Sequence, residues 1–456
     1  MRDGREGDDA ERDPLGARGI AVAVLRRVEA DGAWADVTLD AALRERALSQ
    51  RDRALAVRLV YGTLAWRALI DWHLARLAQR DPQRLALPVR TVLRLGLYQL
   101  LHLERVPPHA AVSTSVDLAK RLAPAAAGLV NAVLRRAVRE RDALPLPDAA
   151  DPVRHLAVTL SHPEWLVARW RAELGESETR LLLAADNTAA PTILRARPGT
   201  RATLLATLRE ADVEATPTRY APDGVRVEAV APHALAGYED GAFAVQSEAS
   251  QLVGHLLGAR PGLCVLDVCA APGGKACHLA ETVAPDGRAV AIDQRLRGAR
   301  AISAMGRRLR VRTLTALVAD ARHPPLAADA RFDCVLVDAP CSGLGTLRAH
   351  PEVRWSRTPE DVRRLAVLQA EILEAASAYV RPGGALVYAT CTISAAENED
   401  VVERWLAAHP ELERTNAAAH LPEAAAGLVD ARGALHTFPH RDDLDGFFAV
   451  RVQRRA

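Results

Sequence analysis

The chain has 456 residues, of which 49% are hydrophobic and 25% charged, and its formal net charge is +2. This length and apolar content are enough for two or three hydrophobic cores, so we expect a multidomain protein. The nearly balanced charge gives by itself no argument for a nucleic-acid partner, and the lack of an apolar run long enough to span a bilayer excludes an integral membrane protein.

Cysteine usage indicates a reducing compartment. Residues 1–14 contain no apolar signal core, so we expect a cytoplasmic protein with no membrane partner. None of the cysteines forms a CxxC pair and no histidine cluster lies near them, so we expect neither a bound metal nor a disulfide framework. Reduced thiols can serve as nucleophiles. The six cysteines are Cys264, Cys269, Cys277, Cys334, Cys341 and Cys391.

The first part of the chain predicts helices. Residues 1–14 are mostly charged, which predicts a disordered tail. Over 15–145 apolar residues recur at helical spacing, and Pro107-Pro108 separates two of the helices. We therefore predict an all-α domain over 15–145. Its clearest helical segments are 53–78, 89–103 and 129–138.

A proline-containing linker at 142–147 leads into shorter, mixed segments. We assign the residues from 146 to 240 to a small α+β subdomain. The segments predict helices at 163–174 and 201–211, and strands at 192–197 and 224–228.

From residue 241 onward, short apolar runs alternate with helical patterns, the clearest helix being 361–380. This alternation predicts a mostly parallel sheet covered by helices on both faces, with the last strand closing an edge. In such sheets ligands bind at the carboxyl ends of the strands. The predicted strands are 264–268, 289–292, 314–318, 334–337, 385–388 and 447–452.

The first of these strands runs into a loop of small residues that opens a helix. Small residues let the backbone approach a ligand closely, and backbone amides are unpaired at the start of a helix. The loop has neither the glycine spacing of a dinucleotide site nor the lysine–serine pair of a Walker loop. It consists of Cys269, Ala270, Ala271, Pro272, Gly273, Gly274 and Lys275.

Acidic residues end the next three strands: Asp293, Asp320 and Asp338. A carboxylate about 20 residues after the glycines can hold ribose hydroxyls, and three acids together suit a nucleoside ligand without phosphates. Each element alone could be a tight turn or a helix cap, but four of them in consecutive units favour a ligand site. Lys275 adds to this, because it is one of only two lysines in an arginine-rich chain.

Two cysteines follow strand ends at the same predicted edge, Cys341 in the sequence DAPCSG and Cys391 in ATCT. A thiolate that adds to carbon 6 of cytosine makes carbon 5 nucleophilic towards a methyl sulfonium, and a second thiol can assist release. A carboxyl group on N3 of the base would stabilise the developing charge, and Asp338 is placed for this. The alternative, a cysteine that packs as a small hydrophobe, fits the other four cysteines better than these two, which lie in polar turns.

At these residues the chain resembles the RNA cytosine-C5 methyltransferase family, the NOL1/NOP2/Sun group. The resemblance implies a Rossmann-like class I methyltransferase domain over 241–456 that uses S-adenosylmethionine. It implies that Cys391 attacks carbon 6, that Cys341 helps to release the product, and that Asp338 and Lys275 belong to the catalytic set. It also implies cofactor contacts from 269–275 and from Asp293, Asp320 and Asp338. The matching stretches are VQSEA at 245–249, CAAPGGK at 269–275, DAPCSG at 338–343, HPEVRW at 350–355, TCT at 390–392 and DGFF at 445–448.

The helical domain resembles the NusB family, in LVYGTL at 59–64 and LVNAVL at 129–134. The same combination of a helical domain with this catalytic domain is similar to that in a branch of the family that acts on 16S ribosomal RNA. We therefore expect 16S ribosomal RNA as the partner, either naked or in an early small-subunit particle. We also expect a monomer. Arginine-rich tracts at 295–312 and 135–141 suit RNA phosphates, although each alone also fits a solvated helix face.

Two other functions stay open on these residues. One is a transfer RNA cytosine-C5 methyltransferase, and the NusB-like domain favours ribosomal RNA over it. The other is an RNA-binding ribosome assembly factor with a non-catalytic methyltransferase fold, against which the intact cysteine pair and the acidic strand ends argue. A titration with S-adenosylmethionine separates the last alternative, because a pure scaffold need not bind the cofactor.

Overall fold

The computed structural model describes residues 16–46, 48–228 and 231–456, so the predicted tail at 1–14 lies outside the described residues. The described chain forms two compact units. The first contains the residues up to 188 together with 350–356, and the second contains 189–349 and 357–456. Within these described ranges, no helix is both long and apolar enough to cross a membrane.

The first unit is helical, as its apolar periodicity predicts. Its helices are α1 (Gly16–Asp31), α2 (Ala35–Arg44), α3 (Gln50–Ala65), α4 (Arg67–Ala78), α5 (Leu87–His102), α6 (Pro108–Leu122), α7 (Ala127–Glu140), α8 (Pro152–Thr159), α9 (Glu164–Leu174), α10 (Glu176–Ala185) and α15 (Val353–Ser356). The predicted segment 53–78 is two helices, α3 and α4, which meet at Trp66. α5 is the most buried of them, and its Arg94 is held between the carboxylates of Glu29 and Asp71 at 2.7 Å each.

Helices α8 to α10 also belong to the first unit, although the stretch 142–147 predicted a linker and a domain border at 145. That stretch is packed against neighbours: the indole of Trp72 on α4 donates to the carbonyl of Pro145 at 2.9 Å, and the His155 ring lies 2.9 Å from the carbonyl of Pro147. These contacts hold the prolines against helices, and the compact unit therefore runs on to residue 188.

The segment 350–356 packs into the helical unit through a buried arginine. Arg354 is fully buried and donates to the carbonyl of Ser161 at 3.1 Å and to the carbonyl of Asp186 at 3.0 Å. The indole of Trp355 donates to a carbonyl of α3 at 2.7 Å. This part of the predicted catalytic-domain motif is therefore structurally a component of the helical unit.

The second unit begins with a small antiparallel sheet of order β2-β3-β1-β4, as the predicted α+β subdomain requires. Leu194, Leu208 and Phe243 form part of its core. Its elements are β1 (Thr192–Ala196), α11 (Arg201–Glu210), β2 (Ala215–Pro217), β3 (Gly224–Val227) and β4 (Phe243–Val245).

The larger sheet of this unit has the order β10-β12-β9-β8-β5-β6-β7, with β11 paired to β12. Its strands are β5 (Cys264–Asp267), β6 (Arg288–Asp293), β7 (Leu314–Val318), β8 (Phe332–Asp338), β9 (Val380–Thr390), β10 (Leu412–Thr415), β11 (Leu435–Thr437) and β12 (Phe447–Arg454). Its helices are α12 (Glu248–Leu256), α13 (Gly274–Val283), α14 (Leu296–Arg308), α16 (Pro359–Ser377), α17 (Glu399–Ala408) and α18 (Pro439–Asp442).

Five strands, β5 to β9, run parallel, and their faces are covered on both sides. Alternate residues of β5 point to opposite faces: Val265 joins the cluster that contains Leu252 of α12, whereas Leu266 joins the cluster that contains Leu373 of α16. The predicted mostly parallel sheet is therefore confirmed, with its carboxyl edge lined by the residues that follow β5, β6, β8 and β9.

One detail of the predicted sheet is wrong. The last strand, β12, does not close an edge but lies between β9 and β10, antiparallel to both. The edge strand β10 has the short, largely polar sequence LERT, which carries no apolar run to predict it. The predicted helix 361–380 also ends earlier, at Ser377, because Val380 already pairs with Phe332 as the first residue of β9.

Candidate active site

The loop between β5 and α13 turns at Gly273. Its φ is +116°, in the left-handed region that favours glycine, and an added Cβ would lie 3.0 Å from the Cα of Ile302. Gly273 caps α13 and no side chain of the described residues does so. The first amides of α13 are therefore available to a polar or negatively charged ligand group.

The carboxylate of Asp293 lies at the end of β6, packed against the start of α14. It accepts a hydrogen bond from the amide of Arg295 at 2.8 Å. A Cβ at Gly298 would lie only 2.1 Å from Oδ1 of Asp293, so glycine is required for the carboxylate to keep this position. The second strand thus ends in an oriented acid, as the sequence predicts.

Asp320 follows β7 and is bound by its neighbour Arg322. The guanidinium donates to Oδ2 of Asp320 at 2.7 Å, and the amide of Arg322 donates to Oδ1 at 2.9 Å. These hydrogen bonds lower the pKa of Asp320 to about 2. The third acid is therefore ionised at neutral pH and already has a cationic partner.

Lys275 and Asp338 form an ion pair that fixes the position of the Lys275 ammonium. The ammonium lies 2.8 Å from Oδ2 of Asp338 and 5.2 Å from the ring centroid of Phe447. Burial acts to lower the pKa of Lys275, but the attraction of Asp338 outweighs it and raises that pKa. Lys275 is thus a permanent cation beside the fourth strand end.

Asp267, the last residue of β5, is a buried acid that the sequence interpretation missed. It is 2% exposed, and its Oδ2 has no hydrogen-bond partner among the described residues. Burial, reinforced by the charge of Asp338, raises the pKa of Asp267 to about 8. A carboxylate inside the apolar run CVLDV was the signal that could have identified it.

The two predicted catalytic cysteines lie side by side. The Sγ atoms of Cys341 and Cys391 are 3.3 Å apart, one following β8 and the other following β9. The hydrogen bond to Cys391, together with burial, raises the pKa of Cys341 well above its usual range. Cys341 is therefore held as a neutral thiol that can supply a proton to its neighbour.

A buried carboxylate braces the two cysteine loops. Glu397 accepts hydrogen bonds from the amide of Ser342 at 2.8 Å and from the amide group of Gln369 at 3.0 Å. The hydroxyls of Ser342 and Thr392 lie 2.9 Å apart. Because Ser342 follows Cys341 and Thr392 follows Cys391, this network fixes the separation of the thiols.

A close backbone contact adds a third segment to this arrangement. The amide of Gly345 donates to the carbonyl of Cys391 at 3.0 Å, and the amide of Gly446 donates to the carbonyl of Gly345 at 2.7 Å. A Cβ at Gly345 would lie 1.9 Å from the carbonyl oxygen of Gly446, so only glycine allows this approach. The turn before β12 is thereby tied to both cysteine loops.

Two of the remaining cysteines, Cys277 and Cys334, fit the packing interpretation. Cys277 and Cys334 are buried, and burial raises the pKa of Cys277 to about 12 and that of Cys334 to about 11. Such thiols are poor nucleophiles at neutral pH.

In the arginine tract 295–312, one arginine is half-buried and bonded within the protein, and the others are exposed. Arg308 turns inward and donates to the carbonyls of Tyr238 and Phe243 at 2.7 and 3.0 Å. Arg308 is therefore structural rather than available to RNA. The exposed members of the tract are Arg295, Arg297, Arg300, Arg307, Arg310 and Arg312.

The structure brings Lys275 and Asp338 into contact, and likewise Cys341 and Cys391, and it lines the same sheet edge with the glycine loop and Asp293. Glu397 was missed because its partners Ser342 and Gln369 are 55 and 28 residues away in the sequence.

A helical unit, a small α+β subdomain and a parallel sheet with a glycine loop and acids at its carboxyl edge define a multidomain methyltransferase. Comparisons with known families agree. Residues 255–453 match the family described as 16S rRNA methyltransferase RsmB/F, 15–139 match the NusB family, and 162–233 match the ferredoxin-like domain of RsmF/B-like methyltransferases.

Similarity to curated proteins extends over most of the chain. It is 37% identical over 410 residues to ribosomal RNA small subunit methyltransferase B of Pseudomonas putida, covering 89% of this chain and 91% of that protein. It is 35% identical over 416 residues to the protein of the same name from Yersinia enterocolitica, covering 90% and 92%. The chain belongs to the ribosomal RNA small subunit methyltransferase B family.

Solved structures confirm the predicted fold class. The crystal structure of PH0851 has a TM-score of 0.84 at 25% identity and covers 97% of this chain and 99% of that one. The structure of NSun6 from Pyrococcus horikoshii with SFG has a TM-score of 0.58 at 20% identity, covering 64% and 98%, and supports the fold alone.

Proposed function

We propose that this chain transfers a methyl group from S-adenosylmethionine to carbon 5 of a cytosine in 16S ribosomal RNA, with Cys391 as the nucleophile. The observation that carries the proposal is the 3.3 Å separation of the Cys341 and Cys391 thiols at the carboxyl edge of the sheet. The names of the curated relatives support small-subunit ribosomal RNA as the substrate. SFG, an analogue of S-adenosylmethionine, in a structure of the same fold supports the cofactor.

The residues at the sheet edge fit a nucleoside cofactor. The uncapped amides of α13 suit the amino-acid carboxylate, and Asp293 suits the ribose hydroxyls. The carboxyl group of Asp267, buried and without a hydrogen-bond partner at Oδ2 among the described residues, offers a further polar contact at the end of β5. When bound, S-adenosylmethionine supplies an electrophilic methyl group next to these acids.

The chemistry of the chain's own residues begins at Cys391. Its thiolate forms a bond to carbon 6 of the extruded cytosine, which places electron density on carbon 5 and N3. The proton that Cys391 loses passes through the Asp338 carboxylate to N3, so that N3–H then donates to Asp338, which Lys275 holds at 2.8 Å. Burial lowers the pKa of Lys275, but Asp338 and, to a smaller extent, Cys391 raise it. A cation therefore interacts with the nucleophile.

Release follows methyl transfer. Carbon 5 loses its proton to solvent, N3 returns its proton to Asp338, the bond between Cys391 Sγ and carbon 6 breaks, and the aromatic base is restored. Cys341, held as a neutral thiol 3.3 Å away, can give its proton to the departing thiolate. Extruding the cytosine costs a few kcal/mol, which an RNA loop or an early small-subunit particle lowers. The protein acts as a monomer in this proposal.

The test incubates wild type, Cys391→Ala and Cys341→Ala with 16S RNA and labelled S-adenosylmethionine. We expect no labelled RNA and no protein–RNA adduct for Cys391→Ala, and an adduct that resists denaturation for Cys341→Ala. Cys334→Ala, buried within β8, is the matched control and keeps methylation. An adduct that persists in Cys391→Ala would reverse the two roles, and wild type that labels no cytosine would overturn the proposal.

A further inference from the structure

A cavity of about 360 Å³ lies between the small antiparallel sheet and the methyltransferase sheet of the second unit. One wall is formed by residues 216–220 and Arg226, and the opposite wall by Arg348 and 442–445. This volume lies within the range of pockets that hold small organic ligands. None of the residues on these walls belongs to the predicted cofactor or cysteine set.

The two walls are joined by an ion network in which Arg348 is buried, Arg226 is half-buried and Asp443 is exposed. Asp443 accepts hydrogen bonds from Arg348 at 2.7 Å and from Arg226 at 2.8 Å. Arg348 is only 8% exposed, and its Nε has no hydrogen-bond partner among the described residues. A buried guanidinium with spare donor capacity marks this as a built polar site rather than a gap between domains.

An exposed arginine, Arg219, lines the cavity. The guanidinium of Arg219 lies 5.0 Å from the ring centroid of Tyr220. The backbone here is fixed, because the amides of Tyr220 and Ala221 both donate to the carboxylate of Glu248. A planar guanidinium in a fixed loop is a stacking face for a nucleobase.

The cavity adjoins the cysteine loops through the backbone. Its wall residue Asp445 precedes Gly446, whose amide donates to the carbonyl of Gly345 at 2.7 Å. Gly345 in turn donates to the carbonyl of Cys391 at 3.0 Å. Asp445 on the cavity wall is therefore joined to the loop of Cys391 through two backbone hydrogen bonds.

We infer that the cavity binds the nucleobase that flanks the target cytosine and reads it by its donor groups; this rests on the proposed function. Four carboxylates and three arginines line the cavity, and the carboxylates are Glu248, Asp442, Asp443 and Asp445. Glu248 and Asp443 already accept hydrogen bonds from the protein. Asp442 accepts one at Oδ2, from the amide of Phe438 at 2.8 Å, and among the described residues its Oδ1 remains available to ring N–H and amino groups of a base. Guanine, which presents adjacent N1–H and N2–H₂ donors, suits it best, and uracil, which lacks an amino group, suits it least.

The test measures binding, so that it is independent of methyl transfer. Short RNA hairpins that carry the target cytosine are titrated into the full chain by fluorescence anisotropy, with each flanking base varied to all four in turn. We expect one flank at which guanine binds roughly tenfold more tightly than uracil. Arg219→Ala weakens binding of the guanine RNA roughly tenfold, and Asp442→Asn removes the preference.

Arg209→Ala, exposed on α11 outside the cavity, is the matched control and keeps both affinity and preference. Equal binding of all flanking bases by wild type would overturn the inference, and so would an Arg219→Ala variant that keeps the wild-type preference and affinity. Arg219 is exposed, so Arg219→Ala should fold normally. It therefore keeps the inference testable even if Asp442→Asn fails to fold. A retained flank preference in a protein that methylates no cytosine would support the cavity and overturn only the proposed reaction.

Discussion

The carboxylate of Glu397 accepts two hydrogen bonds from Ser342, one from its amide at 2.8 Å and one from its hydroxyl at 2.5 Å. Glu397 is fully buried, and its own backbone carbonyl accepts a hydrogen bond from the hydroxyl of Tyr388 at 2.6 Å. Since Tyr388 lies on β9 three residues before Cys391, the same residue holds the chain on both sides of the thiol pair. Glu397 is therefore a positioning residue for Cys341 and Cys391.

Replacing Glu397 tests this positioning role. Glu397→Ala removes the acceptors of Ser342, and we expect the rate of methylation at saturating RNA to fall roughly 100-fold, because small displacements of reacting groups are costly. Glu397→Gln keeps one acceptor and can donate to the hydroxyl, so it should stay within several-fold of wild type. Single-turnover adduct formation is the readout, with cofactor affinity expected to be unchanged. A Glu397→Ala enzyme with wild-type adduct formation would contradict the role.

Asp267 predicts a pH dependence of stability. Burial raises its pKa to about 8, whereas in the unfolded chain an aspartate titrates near about 3.9. Between these values the folded protein keeps a proton that the unfolded chain has lost, so this carboxyl lowers the free energy of unfolding progressively as pH rises from about 4 to about 8. Asp267→Asn removes the effect. We expect its advantage over wild type in urea midpoint to grow across this range.

The control for that measurement is Asp329→Asn, at an exposed position, which should keep the wild-type pH profile. A difference between Asp267→Asn and wild type that stays constant from pH 5 to pH 8 would show that Asp267 is ionised throughout.

Gly298→Ala tests the position of Asp293. The added methyl group would lie 2.1 Å from Oδ1 of Asp293, so the carboxylate must move. We expect the affinity for S-adenosylmethionine, measured calorimetrically, to fall about tenfold, as for the loss of one charged hydrogen bond. Gly128→Ala on α7, where a Cβ meets open space, should leave that affinity unchanged. Equal affinities of both variants would argue against a cofactor contact from Asp293.

Arg354 tests the place of the segment 350–356 in the helical unit. Arg354→Ala leaves the carbonyls of Ser161 and Asp186 without this donor, and we expect a loss of about 3 kcal/mol in the free energy of unfolding. Arg363→Ala, whose ion pair on α16 is exposed, should change it by less than about 0.5 kcal/mol. Denaturant unfolding followed by far-UV circular dichroism measures both. Equal effects would mean that the buried contacts of Arg354 contribute nothing.

Local pattern determined much of this protein. Helical periodicity predicted α5, α7 and α9, and predicted α3 and α4 as one segment. Short apolar runs predicted β5 to β9, because the burial of side chains on one or two faces of an element repeats along the sequence. The acids and cysteines at the strand ends were also visible, since parallel strands must bring their carboxyl ends to one edge. That rule places Cys341, Cys391 and the glycine loop at one edge, whereas the Lys275–Asp338 ion pair was not predicted.

Tertiary structure decided what lies outside local pattern. The position of β12 inside the sheet depends on its pairing with the polar strand β10, and the packing of 142–147 depends on Trp72, which lies far away in sequence. Burial among residues distant in sequence raises the pKa of both Glu397 and Asp267. It also places Glu397 where its carboxylate can connect the two cysteine loops. Such long-range contacts carry no periodic signal, so residue order alone could not predict them.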